Sequence, residues 1–182
     1  VITDNWLRDP NDPTNINKTG YFGSECDGGF AEYTTMPAVN AIPFHSHFTD
    51  AEMATFSCSY STAEGMLTRA NVTDADTVLV PGASGGVGGA LVQLAKRRGA
   101  RVIALASEAK HADVAALGPD VILPRGPVDL RAALGDEKIT VVADVVGGDY
   151  WPTLIDIIER GGRYTCSGAI AGPMVELDLR TS

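Results

Sequence analysis

Thr77-Val78-Leu79-Val80-Pro81-Gly82-Ala83-Ser84-Gly85-Gly86-Val87-Gly88 decides the fold. A short β-branched run enters a turn of small residues, and an amphipathic helical pattern follows over Val87–Arg98. Gly85 lets a backbone approach a pyrophosphate closely, and Gly88 lets the helix pack tightly on the strand. A helix that begins near Gly86 points its free N–H groups and positive dipole end at an anion. The first glycine of G-x-G-x-x-G is Ala83 here, and Pro81 removes a donor from what reads as a central strand. Ala83, Ser84, Gly85, Gly86, Val87 and Gly88 are therefore the candidate phosphate contacts.

Outward from this turn, short apolar runs recur at Thr77–Val80, Arg101–Ala106, Val121–Leu123, Thr140–Val145 and Arg163–Ser167. Helical patterns lie between them at Val87–Arg98, Glu108–Leu117, Val128–Leu134 and Tyr150–Arg160. Near-continuous apolar strands alternating with helices imply a parallel sheet covered on both faces. Right-handed crossovers then leave a doubly wound α/β fold, the Rossmann dinucleotide-binding architecture. That fold has six strands and five are legible, so residues 61–182 are expected to form a Rossmann domain lacking its last strand.

Residues 1–60 are expected to be a partial catalytic-domain segment and hinge. Residues 1–20, rich in Asn, Asp, Pro and Thr, read as an irregular arm. Phe30–Thr35 suggests a strand, and Ala41-Ile42-Pro43 a second short one. Asp50 is the expected N-cap of a short helix, and Ser61–Arg69 a longer helix with Ala63, Met66 and Leu67 on one face.

The net charge of −9 argues against general nucleic-acid binding. No apolar stretch is long enough to span a bilayer, and the first residues carry no secretory signal. Three dispersed cysteines, Cys26, Cys58 and Cys166, read as reduced thiols of a cytoplasmic protein, with Cys166 buried in the fifth strand. His45 and His47 read as surface loop residues.

The glycine turn with Ala90-Leu91-Val92-Gln93-Leu94-Ala95-Lys96 resembles the medium-chain dehydrogenase/reductase superfamily. Asp27-Gly28-Gly29-Phe30-Ala31-Glu32-Tyr33 resembles the strand that closes its catalytic domain. Asp144-Val145-Val146-Gly147-Gly148 and Gly161-Gly162-Arg163-Tyr164 resemble its fourth and fifth strand signatures. The resemblance runs from about Asp27 to the end. It implies hydride transfer between a nicotinamide cofactor and a small alcohol or carbonyl compound, in a homodimer. Cys58-Ser59-Tyr60-Ser61-Thr62-Ala63-Glu64-Gly65 resembles the segment that supplies the third catalytic zinc ligand of zinc alcohol dehydrogenases. On that likeness Cys58 would bind zinc, Thr62, Gly168 and Ala169 would adjoin the nicotinamide, and Val146 would contact the cofactor. The family's first two zinc ligands precede anything present here, so this chain is not expected to complete the metal site. A zinc-free quinone or enone reductase, and a dinucleotide-binding module without catalysis, are the alternatives.

NAD sites place a carboxylate at the end of the second strand, to accept from the ribose hydroxyls. Nineteen residues beyond Gly88 stands Ser107, which can donate to a 2′-phosphate, with Lys110 three residues later and Arg101 or His111 in support. Ser-x-x-Lys here resembles NADP-dependent members of the superfamily. Glu108, one residue on, would suit NAD(H); the reading favours NADP(H).

Overall fold

The structure, a computed structural model, describes residues 2–3, 6–12, 15–126 and 129–176. The chain divides into two units, Val1–Ser57 and Cys58–Ser182.

In the first unit, β1 (Ile2–Thr3) pairs antiparallel with β4 (Ala41–Ile42), and β2 (Trp6–Leu7) with β3 (Gly20–Tyr21). The arm is thus tied down by two-residue ladders. Helix α1 (Asp50–Ala54) is capped by Thr49, one residue before the expected Asp50. The Glu52 N–H donates to Thr49 Oγ1 at 3.3 Å, and the Thr49 N–H donates back to Glu52 Oε2 at 2.8 Å. The expected strand at Phe30–Thr35 is a run of bends and loop. Phe30 and Tyr33 are exposed, and no described strand pairs with this segment. A strand pattern without a neighbour gains no ladder, so Thr34 Oγ1 instead donates to the Gly28 carbonyl at 2.9 Å.

Helix α2 (Phe56–Arg69) leads into the second unit. There follow β5 (Thr77–Pro81), α3 (Gly86–Arg97), β6 (Arg101–Ala106), α4 (His111–Ala115), β7 (Val121–Pro124), α5 (Leu130–Leu134), β8 (Ile139–Asp144), α6 (Trp151–Asp156) and β9 (Ile158–Cys166). The sheet order is β7-β6-β5-β8-β9 with every pairing parallel, so the order reverses between β5 and β8. Alternating side chains explain the near-continuous apolar strands. Val78 and Val80 enter the layer under α2 and α3 with Leu67 and Leu91, while Leu79 enters the opposite layer with Leu130, Ile139 and Leu154. Pro81 sits in register with Leu105, and the ladder survives it because the Ala83 N–H donates to the Leu105 carbonyl at 3.1 Å.

Three further local expectations change. Glu108–Leu117 is a 3-10 turn (Glu108–Lys110) followed by the short α4. The helix expected to reach Arg160 ends at Asp156, because Ile158 pairs with Ile139 before a bulge returns the register at Arg163↔Val141. Strand pairing overrides the helical pattern there. Cys166 is exposed rather than buried, since it closes a strand at the sheet's edge. Val128 lies outside the described residues.

The amino ends of the strands are tied by ionic contacts. Buried Asp76 accepts from the Thr73 N–H at 2.9 Å, from Thr140 Oγ1 at 2.7 Å and from the Arg163 guanidinium. Arg101 pairs with Glu137, and Lys96 with Asp120 at 2.9 Å. No helix among the described residues is long and apolar enough to cross a membrane.

Candidate functional site

The carboxyl end of β5 opens into a turn that only glycine can begin. Gly82 has φ +70°, and a Cβ there would stand 2.9 Å from Val146 Cγ2 and 3.1 Å from Val145 Cγ2. Ala83 stands at the motif's first glycine position, but the turn itself is made by Gly82, and Ala83 is fully buried behind it. The Gly85 N–H donates to the Gly82 carbonyl at 3.0 Å and closes the turn. A Cβ on Gly88 would lie 2.1 Å from the Gly82 oxygen, so helix α3 rests directly on the turn's backbone.

Gly85 differs. Its backbone is extended, and a Cβ would meet only the Gly82 oxygen, at an ordinary 3.5 Å. The protein itself does not require glycine there. Ser84, Gly85 and Gly86 are exposed, and Val87 is half-buried. Gly85 caps α3 with no side-chain bond, and the first turn carries no acid. The Gly86 and Val87 amides thus have no intrahelical acceptor and lie at an exposed rim, which suits an anion, whereas the Gly89 N–H already donates to the Gly85 carbonyl at 2.7 Å. From α2, Ser59 stands 2.7 Å from the Cβ position of Gly86, which places that helix against the rim.

On the β6 side, Ser107 is half-buried at the N-cap of the 3-10 turn, its hydroxyl making no cap bond. Lys110 is exposed and pairs with Asp113 at 2.9 Å, and Glu108 is exposed beside it. His111 Nε2 lies 3.2 Å from the Ala106 carbonyl. Arg101 cannot support Ser107. It begins the strand that Ala106 ends, roughly 17 Å away at strand rise, and is held by Glu137. A residue that the sequence reading missed takes its place. The Arg125 N–H donates to the Ala106 carbonyl at 2.8 Å, which brings an exposed arginine beside Ser107. Its guanidinium forms no ion pair among the described residues. The signal was the strand order, which sets the end of the third Rossmann strand beside that of the second.

On the β8 side, two loops meet. The Ala171 N–H donates to the Val146 carbonyl at 2.9 Å, and a Cβ on Gly147 would stand 3.2 Å from Ala169 Cα. Val146, Gly168 and Ala169 therefore gather at one edge, with Val146 against Gly82. Asp144, fully buried, accepts from the Val146 N–H at 2.7 Å, the Gly147 N–H at 3.1 Å and Tyr164 Oη at 2.7 Å. Burial, and then the Asp144 carboxylate, push the Tyr164 hydroxyl far above the usual phenol range, so it stays a donor.

Exposed Cys58 and half-buried Thr62 lie four residues apart on one side of α2. A catalytic zinc needs about three protein ligands. Among the described residues no group of three metal-binding side chains exists, so Cys58 and its described neighbours do not by themselves complete a zinc site.

Residues 86–182 match the family of zinc-binding dehydrogenases. A solved structure of a Sinorhizobium meliloti 1021 protein, provisionally assigned as an alcohol dehydrogenase, is 48% identical with a TM-score of 0.85, covering 92% of this chain and 47% of that one. The quinone oxidoreductase of Thermus thermophilus, solved alone and with NADPH, is 34% identical with a TM-score of 0.67, covering 75% of this chain and 46% of its own. Acryloyl-coenzyme A reductase of Metallosphaera sedula is 29% identical over 85% of this chain and 46% of its own. The chain spans about half the length of the relatives it matches.

Proposed function

The chain belongs to the zinc-binding dehydrogenase family, within the medium-chain dehydrogenase/reductase superfamily, and from that premise we propose that it holds the nicotinamide dinucleotide of an oxidoreductase acting on an alcohol or carbonyl compound. One observation carries the reading. Gly82 and Gly88 are glycines because protein atoms fill their Cβ positions, whereas Gly85 is open to solvent above an uncapped helix. A glycine that the fold does not need, at the point where the helix offers free amides, is accounted for by a pyrophosphate that approaches it.

NADP(H) is the proposed cofactor. Ser107 and Arg125 stand together at the carboxyl edge of the β6–β7 pair, with Lys110 one turn away. A guanidinium and a hydroxyl suit a 2′-phosphate dianion. Bound there, the cofactor supplies hydride chemistry. The chain's part is to bind the phosphates at Ser84–Gly88 and to wall the reacting end with Val146, Gly168, Ala169 and Thr62. The described residues of this chain do not by themselves complete a zinc site, and Cys58 is the one donor that the family likeness would assign to it.

Calorimetric titration of the chain with NADPH and NADH tests the proposal, and NADPH should bind at least about tenfold more tightly. Tighter binding of NADH would hand the position to Glu108. Binding of neither would remove the dinucleotide from the reading.

A further inference from the structure

Asp144 is a carboxylate with no solvent exposure, and all the hydrogen bonds its side chain makes lie beyond the end of its strand or on a neighbouring one. Such a group is costly to bury unless its oxygens are satisfied, and here two backbone amides and a phenol satisfy them. Tyr164 is itself fixed. It is in register with Val142 on β8, its ring meets Trp151 edge-on with centroids 6.0 Å apart, and its hydroxyl reaches two residues along β8 to Asp144.

The loop held in this way has much freedom to lose. Gly147 and Gly148 both have positive φ, +65° and +72°, and adjoining glycines are the most permissive backbone available. They also have no room for side chains. A Cβ on Gly148 would lie 2.6 Å from the Ala171 oxygen, so the loop's path is shaped to the facing segment. Between strand and glycines stands Val146, whose side chain abuts Gly82 at the root of the phosphate turn. The Asp144 bonds to Val146 and Gly147 thus fix the wall on the β8 side, and none of them reaches Ser107 or Arg125 on the β6 side.

We infer that Asp144 and Tyr164 are a positioning pair, which holds the Val145–Gly148 loop for the nicotinamide half of the dinucleotide and leaves the adenosine half untouched. The inference rests on the dinucleotide reading above. In a doubly wound sheet a dinucleotide lies across the switch point, with its adenosine over the second strand and its other half on the opposite side. Those sides are β6 and β8 here.

The experiment compares NADPH with adenosine 2′,5′-bisphosphate, which carries the adenosine half alone, by titration of the full chain and its variants. Tyr164→Phe removes one oxygen and keeps the ring packing. It should weaken NADPH about tenfold, leave the bisphosphate within about twofold and dim the fluorescence of bound NADPH. Asp144→Asn keeps an acceptor for the Val146 and Gly147 amides and should show the same split with a smaller loss. Equal weakening of both ligands would make the pair merely structural and overturn the inference, as would no change in either. If the unmodified chain binds the bisphosphate as tightly as NADPH, the β8 side holds nothing and only this inference fails. If it binds neither, the dinucleotide reading fails as well.

Discussion

Gly88→Ala adds one methyl group where the chain has least room for it. The new Cβ would lie 2.1 Å from the Gly82 oxygen, 2.8 Å from the Gly82 carbonyl carbon and 2.9 Å from Ala83 Cα. All three are backbone atoms, so no rotamer relieves the contact, and α3 must lift by about 1 Å to restore normal separation. Overpacking costs about 1–3 kcal/mol, and this case belongs at the upper end because Leu91, Val92 and Ala95 on the same helix are fully buried. Replacing a helical glycine returns about 1 kcal/mol of propensity. The net loss is about 2 kcal/mol, or roughly 4–8 °C in melting temperature for a chain of this size. Thermal unfolding followed by circular dichroism measures it. Gly85→Ala is the control, because its Cβ meets nothing nearer than 3.5 Å. That variant should lose no more than about 1 kcal/mol, the cost of alanine at an N-cap, yet bind NADPH at least about tenfold more weakly. A Gly88→Ala chain that melts with the wild type would refute the close helix–turn contact. Unchanged NADPH affinity in Gly85→Ala would refute the phosphate role of the turn.

Arg125→Ala and Lys110→Ala should each weaken NADPH more than NADH in calorimetric titration, by about tenfold for Arg125 and less for Lys110, whose ammonium already pairs with Asp113. Ser107→Asp should reverse the preference by setting a carboxylate where the ribose of NADH can donate. Asp76 titrates below its ordinary value. Burial acts against its carboxylate, but the Thr73 amide, the Thr140 hydroxyl and the Arg163 charge together outweigh it. Its contribution is therefore complete above the unfolded value near 3.8 and is lost as pH falls through the lower folded value. Asp76→Asn should cost about 1.5–3 kcal/mol at neutral pH and flatten the acid limb of a melting-temperature profile. Elemental analysis of the chain purified in zinc-containing buffer should find no stoichiometric zinc; one zinc per chain would overturn the ligand accounting around Cys58.

The sheet was legible because its signals are local. Val78–Val80 and Val102–Leu105 are apolar on both faces, so the first four strands of the sheet could be placed to within a residue, whereas β9 starts five residues before the expected Arg163. Phe30–Thr35 shows the reverse case: its composition suits a strand, yet pairing needs a partner that no local pattern supplies. The glycines divide in the same way. That Gly88 packs on the turn followed from its place in the motif, but Gly82 taking the turn in place of Ala83 depends on φ and on Val146, which is far along the chain. Ser107 could be counted from the motif. Arg125 and the Asp144–Tyr164 bond could not, since each joins neighbours created by strand order. Arg101 failed for a related reason: it begins the strand that Ser107 follows, so the length of β6 separates them.

The ionic ties at Asp76–Arg163, Arg101–Glu137 and Lys96–Asp120 all sit at the end of the sheet away from the glycine turn. Heat tolerance and ligand choice are therefore written in separate places. A lineage moving to a hotter habitat can strengthen the first set without retuning the second, and one changing nucleotide can edit Ser107, Lys110 and Arg125 without loosening the scaffold. Sites this far apart combine almost additively. Libraries that randomise the two edges independently should thus recover thermostable variants with either cofactor preference, without exploring the product of both sets.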